Sequence, residues 1–299
     1  MESASTMEPL TECEGFDQLG LAPAVLATVQ TLGYETPTPI QCQCIPHLLQ
    51  GRDLLGQAQT GTGKTAAFAL PLISLVELDA GPKPQVLVLT PTRELALQVA
   101  EAFQTYARNL RGFHVLPLYG GSSFGLQARA LERGVHVIVG TPGRVMDHLR
   151  RGTLDLAGLR TLVLDEADEM LDMGFAEDLE AILDATPPER QTALFAATMP
   201  PRIAAIAQRH LREPVRVTIE REKTAAGTVP RVRQVAFLVT RAHKSLALGR
   251  VLDTESPTSA IVFCRTRTEV DELTETLNAR GYRAEALHGG LSQEQRDRV

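Results

Sequence analysis

Cysteine, lysine and long apolar runs are all scarce in this sequence of 299 residues. Four cysteines, at positions 13, 42, 44 and 264, are too few and too scattered for a disulfide framework, and Cys42-x-Cys44 has no second pair at zinc spacing. We expect small, half-buried thiols and no zinc site. Residues 1–6 have no signal-peptide character, and the apolar runs are shorter than the roughly 20 residues that span a bilayer. These absences argue against a membrane partner and predict a cytoplasmic protein.

Net charge does not decide the class of partner. A value of −6 is compatible with nucleic acid because a basic groove can lie on an acidic protein. With 43% hydrophobic and 22% charged residues, the composition is that of a globular protein, and the length is sufficient for two domains. Only four of the 30 basic residues are lysines, so the position of each lysine is informative.

Lys64 lies in the most informative segment, residues 58–65, which read Ala-Gln-Thr-Gly-Thr-Gly-Lys-Thr. The glycines at 61 and 63 allow backbone N–H groups to converge on phosphate oxygens at the N-terminus of the next helix. Lys64 would reach the β- and γ-phosphates of a nucleotide, and the Thr65 hydroxyl would complete the coordination of Mg²⁺. Ala58 stands where such loops usually begin with glycine. By itself, the segment is also compatible with a glycine-rich turn that binds nothing.

Asp165 and Glu166 follow the apolar run 162–164 and are the predicted catalytic carboxylates. Asp165 would hold Mg²⁺, partly through water, and Glu166 would orient and deprotonate the attacking water. The alternative is an acidic turn that precedes the amphipathic segment 170–183. The phosphate-loop pattern favours the catalytic interpretation.

Short β-rich runs alternate with helix-length amphipathic segments, which is typical of a parallel sheet with helices on both faces. The predicted strands are residues 85–90, 115–119, 135–139, 159–164 and 192–196, and a predicted helix covers 93–110. Ligands of such sheets bind beyond the carboxyl ends of the strands, so motifs at those ends share one crevice.

A second unit is predicted after Pro214, with residues 213–230 as the linker. Further along the chain, strands are predicted at 232–239, 260–264 and 284–287, and helices at 243–252, at 269–279 and from Ser292 onward. About seventy residues make half of a typical α/β domain. The predicted organisation is therefore an α/β domain in residues 1–212 and a partial second domain in 231–299.

The chain resembles the DEAD-box RNA helicases of superfamily 2 along nearly all of its length, which implies two RecA-like domains of the P-loop NTPase class. Residues 33–41, Gly-Tyr-Glu-Thr-Pro-Thr-Pro-Ile-Gln, resemble the family's Q motif, with Phe16 as the upstream aromatic. By resemblance, Gln41 reads the adenine edge with its carboxamide, and Tyr34 or Phe16 covers the base. The other implied nucleotide contacts are Thr36, Gln59, Thr60, Gly61, Thr62, Gly63, Lys64 and Thr65.

Further segments match the family in its order. Residues 91–96 resemble motif Ia, Gly120-Gly121 the GG doublet, and 141–144 motif Ib. Helix N-termini bind phosphates, and arginines add charge without reading bases. Routine capping explains any one of these segments alone, whereas three in order favour RNA. Residues 261–266 resemble motif IV, and 287–290 with 293–296 resemble the segment after it, although Arg265 and Arg296 are also compatible with solvated side chains. The implied RNA contacts are Pro91, Thr92, Arg93, Gly121, Thr141, Pro142, Gly143, Arg144 and Arg265.

Two features depart from the family pattern. Ala196-Ala197-Thr198 replaces the Ser-Ala-Thr of motif III, which leaves Thr198 and Asp168 for interdomain coupling, and no segment matches motifs V and VI with their arginine finger. The resemblance implies an RNA-dependent ATPase that uses ATP and Mg²⁺ to remodel RNA. For this chain we expect a monomer that binds ATP, hydrolyses slowly and unwinds poorly. An ATP-gated RNA clamp and a P-loop ATPase that acts on DNA are the alternatives.

Overall fold

The structure, a computed structural model, describes residues 13–81, 83–219 and 232–299. The chain divides into two compact units, residues 1–223 and 224–299. Among the described residues, no helix combines the length and the apolar character needed to cross a membrane.

The first unit is built on one parallel sheet. Its strands are β1 (Leu54–Gln57), β2 (Val86–Leu89), β3 (Val115–Leu118), β4 (Val137–Gly140), β5 (Thr161–Leu164), β6 (Gln191–Ala196) and β7 (Val215–Thr218). They lie in the order β3-β4-β2-β5-β6-β1-β7, and every neighbouring pair is parallel. The five strands predicted in this unit are confirmed to within two residues at each end.

Helices cover the sheet. A short 3₁₀ helix (Phe16–Leu19) comes first. The α-helices of the first unit are α1 (Pro23–Thr31), α2 (Pro39–Leu49), α3 (Lys64–Leu75), α4 (Arg93–Tyr106), α5 (Phe124–Arg133), α6 (Pro142–Arg150), α7 (Ala167–Asp172), α8 (Ala176–Asp184) and α9 (Pro201–His210). Those of the second unit are α10 (Lys244–Glu255), α11 (Arg267–Ala279) and α12 (Gln293–Arg298).

The inner strands are apolar at successive positions because both faces of a parallel sheet are buried. Every residue of β2 and β4 is buried. Alternate side chains enter two separate cores: Val88 packs with Phe68 and Phe103 on one face, and Leu89 packs with Met170 on the other. This two-sided burial fixes the strand ends and therefore the loops that leave them.

Residues 215–218 contradict two predictions, the linker at 213–230 and the end of the first domain at 212. They form β7, the edge strand beside β1. Val217 is buried, whereas Arg216 is exposed, which is the alternation of a strand with one face in the core. Pro214 therefore precedes a strand and does not mark the start of a second domain. The remainder of the predicted linker, residues 220–230, lies outside the described residues.

Two helix predictions also need correction. The predicted helix 93–110 ends at Tyr106. The amphipathic segment 170–183 belongs to two helices, α7 and α8, which Gly174 separates with a φ of +89°. Glycine adopts this left-handed conformation without the steric cost that other residues have.

The predicted strands of the second unit are wrong. In the described range 232–299, residues 232–239, 260–264 and 284–287 are in no strand. Their large apolar side chains are exposed, Phe237 by 61%, Ile261 by 83% and Phe263 by 92%. An extended segment becomes a strand only when a neighbour accepts and donates its backbone hydrogen bonds, and the described residues of this unit provide no such partner. The predicted helices are present as α10, α11 and α12.

The expectation of small, half-buried thiols is wrong for two of the four cysteines. Cys13 and Cys42 form a disulfide, and both are buried. This bond ties the segment before the 3₁₀ helix to α2. Cys44 and Cys264 are free, and burial raises the pKa of the Cys44 thiol far above its usual range. The scattered spacing concealed the pair because residues 29 positions apart meet only after folding.

Candidate functional site

Three neighbouring strands, β5, β6 and β1, bring the segments of the predicted nucleotide site together. The phosphate-loop segment leaves the carboxyl end of β1, and the carboxylates Asp165 and Glu166 leave that of β5. Ala58 N donates to Ala196 O (3.1 Å), which joins the end of β1 to the end of β6. The site therefore lies at the sheet edge where parallel sheets bind ligands.

The phosphate loop adopts the backbone conformation that its glycines allow. Gly61 and Gly63 have φ angles of +83° and +92°, and α3 begins at Lys64. The positive φ at Gly63 favours glycine, and a Cβ there would also lie 2.5 Å from Gln41 Nε2, so that this side chain would have to move. Lys64 is buried, and its Nζ donates to Ala58 O (3.1 Å), which holds the ammonium inside the loop. An ammonium at a helix N-terminus fits a polyphosphate.

Asp165 lies deep in the site and is 3% exposed. Its Oδ1 has no hydrogen-bond partner among the described residues. Burial raises the pKa of Asp165 to about 6; the Lys64 ammonium lowers this pKa, and the carboxylates of Glu166 and Asp168 raise it. A buried carboxylate oxygen without a donor is a ligand of the type that Mg²⁺ prefers. The residues present therefore fit a Mg²⁺–nucleotide.

Glu166 has a left-handed backbone conformation, with a φ of +53° at the start of α7. This conformation costs on the order of 1 kcal/mol for a residue other than glycine, and such strain is common at functional sites. It places a carboxylate directly after the buried Asp165, where the catalytic base is predicted.

The turn after β5 is hydrogen-bonded to the loop after β6. Asp168 Oδ2 accepts from Thr198 N (2.8 Å) and from Thr198 Oγ1 (2.9 Å). Ala196 is fully buried in an apolar cluster. Thr198 therefore makes the contact to the acidic turn, and the methyl group of Ala196 fills the position of the hydroxyl that motif III usually has.

The Q-motif residues contact the phosphate loop from α2. Gln41 is buried; its Oε1 accepts from Thr38 N (2.9 Å), and its Nε2 donates to Gly63 O (3.2 Å). One amide hydrogen and one lone pair are left for an adenine edge. Phe16 is buried and its ring centroid lies 6.3 Å from that of Tyr34, which is 42% exposed. Tyr34 is thus the more accessible of the two predicted covering aromatics, and Thr36 is exposed nearby in the chain.

The predicted RNA residues of the first unit lie at the other half of the same sheet edge, after β2, β3 and β4. Thr92 caps α4 by accepting from Leu95 N (3.2 Å). Gly121 has a φ of +92°, and a Cβ there would overlap the Arg93 guanidinium. Thr141 precedes α6, which begins at Pro142. Backbone N–H groups at two helix starts and one glycine turn therefore meet along three adjacent strands.

Sequence reasoning missed Gln127, which joins two of these elements. Its Nε2 donates to Tyr119 O (3.2 Å) and Ser122 Oγ (2.6 Å), and its Oε1 accepts from Arg144 Nη1 (2.7 Å). The signal was a glutamine four positions before Leu131 on the buried face of the amphipathic helix α5. A buried polar side chain on an apolar face needs partners, and these are found in the loop after β3 and on α6.

Glu180, Asp184 and His210 are close enough to hold a metal ion. Arg209 already pairs with Glu180 (3.0 Å) and lies 3.9 Å from Asp184, and His210 Nε2 lies 3.0 Å from Glu180. These ion pairs account for the cluster without a cation.

A profile of the DEAD/DEAH box helicase family matches residues 38–206. The chain belongs to the DEAD/DEAH box helicase family. A profile of the helicase conserved C-terminal domain matches residues 243–299, although the described residues there form helices without strands.

Similar proteins agree with this family. The chain is 51% identical to the ATP-dependent RNA helicase DeaD of Escherichia coli K12 over 286 residues, which are 95% of this chain and 44% of that protein. It is 50% identical to the DEAD-box ATP-dependent RNA helicase CshA of Bacillus cereus over 281 residues, 94% of this chain and 53% of that one. The chain thus spans about half the length of these curated relatives.

A solved structure matches as well. The crystal structure of a DEAD box protein from the hyperthermophile Methanococcus jannaschii superposes with a TM-score of 0.67 at 38% identity, covering 96% of this chain and 76% of that one. The predicted RecA-like fold of the first unit is confirmed by this match and by the seven-stranded parallel sheet.

Proposed function

We propose that this chain binds ATP with Mg²⁺ and is the ATP-binding part of an RNA-dependent ATPase that remodels RNA. The observation that carries this proposal is the buried Asp165, whose Oδ1 has no partner among the described residues and whose pKa responds to the charge of Lys64. A carboxylate and an ammonium beside the phosphate loop, residues 58–65, are the groups that phosphoryl transfer requires.

Each residue of the nucleotide site has a role in this proposal. Thr65 and Asp165 would hold Mg²⁺, partly through water, and the ion would supply positive charge that neutralises the phosphates. Lys64 exchanges its bond to Ala58 O for phosphate oxygens. Glu166 orients the attacking water and accepts its proton. Gln41 selects adenine with its free hydrogen and lone pair.

RNA would bind along the carboxyl edge of β2, β3 and β4. Pro91, Thr92 and the N-terminus of α4 present backbone N–H groups and a hydroxyl, and Thr141 with Gly143 does the same at α6. Arg93 and Arg144 add positive charge. Such contacts bind the backbone of any RNA sequence, so this face gives no base preference. Arg265, exposed before α11 in the second unit, remains a proposed additional contact.

The Asp168–Thr198 contact would transmit the state of the nucleotide to the second domain. The 299 residues contain no match to the later motifs that include an arginine finger, which contributes about 10³–10⁵ in rate. We therefore propose slow hydrolysis and weak unwinding for this chain, as a cytoplasmic monomer. The alternative is an ATP-gated RNA clamp that binds without unwinding.

The test is ATP turnover with and without single-stranded RNA, in the chain and in Glu166→Gln. RNA-stimulated turnover that is lost in the variant, with unchanged affinity for a fluorescent ATP analogue, supports the ATPase. Nucleotide binding without turnover, together with stable RNA retention on a non-hydrolysable analogue, supports the clamp. Stimulation by duplex DNA and not by RNA would overturn both.

A further inference from the structure

Gln127 on α5 is the centre of a buried network behind the proposed RNA face. The side chain is 5% exposed, and each of its two polar atoms has two partners. Nε2 is bonded to Tyr119 O and Ser122 Oγ, in the loop that contains Gly120 and Gly121. Oε1 is bonded to Arg144 Nη1 and lies 3.1 Å from His148 Nε2, both on α6. One carboxamide thus joins the glycine loop to the first turns of α6.

The chemistry of the partners fixes the orientation of this carboxamide. Tyr119 O can only accept a hydrogen bond, so the amino group of Gln127 must face it. Oε1 therefore faces Arg144, which can only donate. His148 Nε2 must then carry a hydrogen that it donates to Oε1. In the neutral ring Nδ1 is an acceptor for the hydroxyl of Thr153 (2.8 Å), whose other acceptor is His148 O (3.2 Å). Every position of the amide is used, and a flipped amide would place its oxygen against Tyr119 O and its amino group against the Arg144 guanidinium.

His148 is fully buried and supports the network in its neutral form. Burial and the cations of Arg144 and Arg151 lower its pKa to about 4, while Asp147 acts in the opposite direction. Its ring stacks on Phe124, with centroids 4.2 Å apart and planes 11° apart. Arg151 lies 4.4 Å from the Phe124 ring centroid. The network is therefore packed on an aromatic stack and does not depend on solvent.

Arg144 faces into this network. Its side chain is 11% exposed, and Nη1 donates to Ser122 O (3.3 Å) as well as to Gln127. Nη1 of the guanidinium thus cross-links α6 to the glycine loop. Nε makes no hydrogen bond to the described residues and lies 3.8 Å from Asp147 Oδ2. A side chain that is so little exposed acts on a ligand mainly by holding other groups in place.

We propose that Gln127 and Arg144 are positioning residues for RNA binding, which together fix the spacing between the glycine loop 119–123 and the N-terminus of α6. The N–H groups of these two elements then contact successive phosphates without rearrangement. This inference rests on the proposed RNA binding and assigns Arg144 an indirect role in it.

The test measures the affinity for a fluorescent single-stranded oligouridine at several salt concentrations. The variants are Gln127→Met, Arg144→Ala, the double variant and Arg144→Lys. The matched control is Gln85→Met: Gln85 is 4% exposed and bonded to Glu77 N and O, at the amino end of β2. Circular dichroism and affinity for a fluorescent ATP analogue verify that each variant is folded.

We expect Gln127→Met and Arg144→Ala each to weaken RNA binding about tenfold, which corresponds to loss of one charge-assisted hydrogen bond. The double variant should be no more than about twofold weaker than either single variant, because both remove the same cross-link. Arg144→Lys should remain weak, since the shorter lysine side chain does not bring a donor to the position of Nη1, which serves both Ser122 O and Gln127 Oε1. Gln85→Met and all ATP-analogue affinities should be unchanged.

Rescue by Arg144→Lys, together with wild-type binding by Gln127→Met, would overturn the proposal and make Arg144 a direct phosphate contact. An equal loss of RNA affinity in Gln85→Met would show that the effect comes from general destabilisation and would also overturn the proposal. If Gln127→Met does not fold, the test uses Gln127→Glu, which keeps the acceptor for Arg144 but loses both donors to the glycine loop. Gln127→Glu should show the same tenfold loss of RNA affinity, and normal RNA binding by this variant refutes the proposal. Failure of the wild-type chain to bind RNA at low salt would instead refute the proposed function.

Discussion

The Cys13–Cys42 disulfide predicts that the stability of the first unit depends on a reductant. The bond closes a loop of 29 residues. The chain-entropy relation gives about 3.6 kcal/mol for a loop of that length at 25 °C. For a unit of about 200 residues, each kcal/mol shifts the melting temperature by roughly 2–4 °C. Reduction should therefore lower the melting temperature by about 10 °C.

The assay is thermal unfolding by circular dichroism, with and without a phosphine reductant, after the free thiols of the oxidised protein are counted. Cys44 and Cys264 are the free cysteines, so the oxidised protein should have two titratable thiols once it is unfolded and the reduced protein four. Cys13→Ser should melt near the reduced wild type. Cys264→Ser, which leaves the pair intact, is the matched control and should still respond to the reductant.

Four thiols in protein purified under oxidising conditions would show that the pair does not form, and the reasoning would be wrong at its first step. Two thiols with no change in melting temperature on reduction would mean that the disulfide constrains a segment that is already ordered by packing. In that case Phe16 and Leu19, which are buried in the same core, hold the N-terminal segment without the bond.

Three further predictions concern single side chains. Thr198→Val removes the 2.9 Å hydrogen bond from the hydroxyl to Asp168, so the free energy of unfolding in urea should fall by about 1.5 kcal/mol. RNA-stimulated ATP turnover should fall by a larger factor than the affinity for nucleotide. Equal losses of turnover and of affinity would argue against coupling. Folding lowers the pKa of His148 from 6.5 to about 4, so the unfolded chain binds an extra proton between these pH values. The free energy of unfolding should therefore decrease by up to about 3 kcal/mol as the pH falls through this window. His148→Gln should reduce that pH dependence, and an identical profile in the variant would contradict the assignment. Gly63→Ala would place a side chain at a φ of +92°, with its Cβ 2.5 Å from Gln41 Nε2. This variant should bind a fluorescent ATP analogue at least about tenfold more weakly in an equilibrium titration. Unchanged affinity would show that the loop rearranges freely.

The proposed nucleotide site could be put forward from the sequence because its parts are local. The backbone turns of the proposed phosphate loop need glycines two positions apart, and the residue proposed to hold a metal directly follows an apolar strand. Both patterns are complete within ten residues, so Lys64, Asp165 and Glu166 could be named without knowledge of the fold. The strands of the first unit were equally evident, since burial on both faces of a parallel sheet requires uninterrupted apolar runs.

The errors arose where neighbours decide the structure. Residues 215–218 form a strand because β1 offers an open edge, and the similar runs in the second unit stay unpaired because the described residues there offer none. An isolated apolar run cannot distinguish these outcomes.

By itself, the sequence determined which segments are candidates to bind phosphate and which carboxylates accompany them, because those properties depend on the local backbone and on residue type. Only the tertiary structure decided that Cys13 meets Cys42 and that Gln127 joins the glycine loop to Arg144. These contacts link residues that are 29 and 17 positions apart. Hydrogen bonds and disulfides act over a few ångströms, so such pairs exist only after the strand order has brought their elements together.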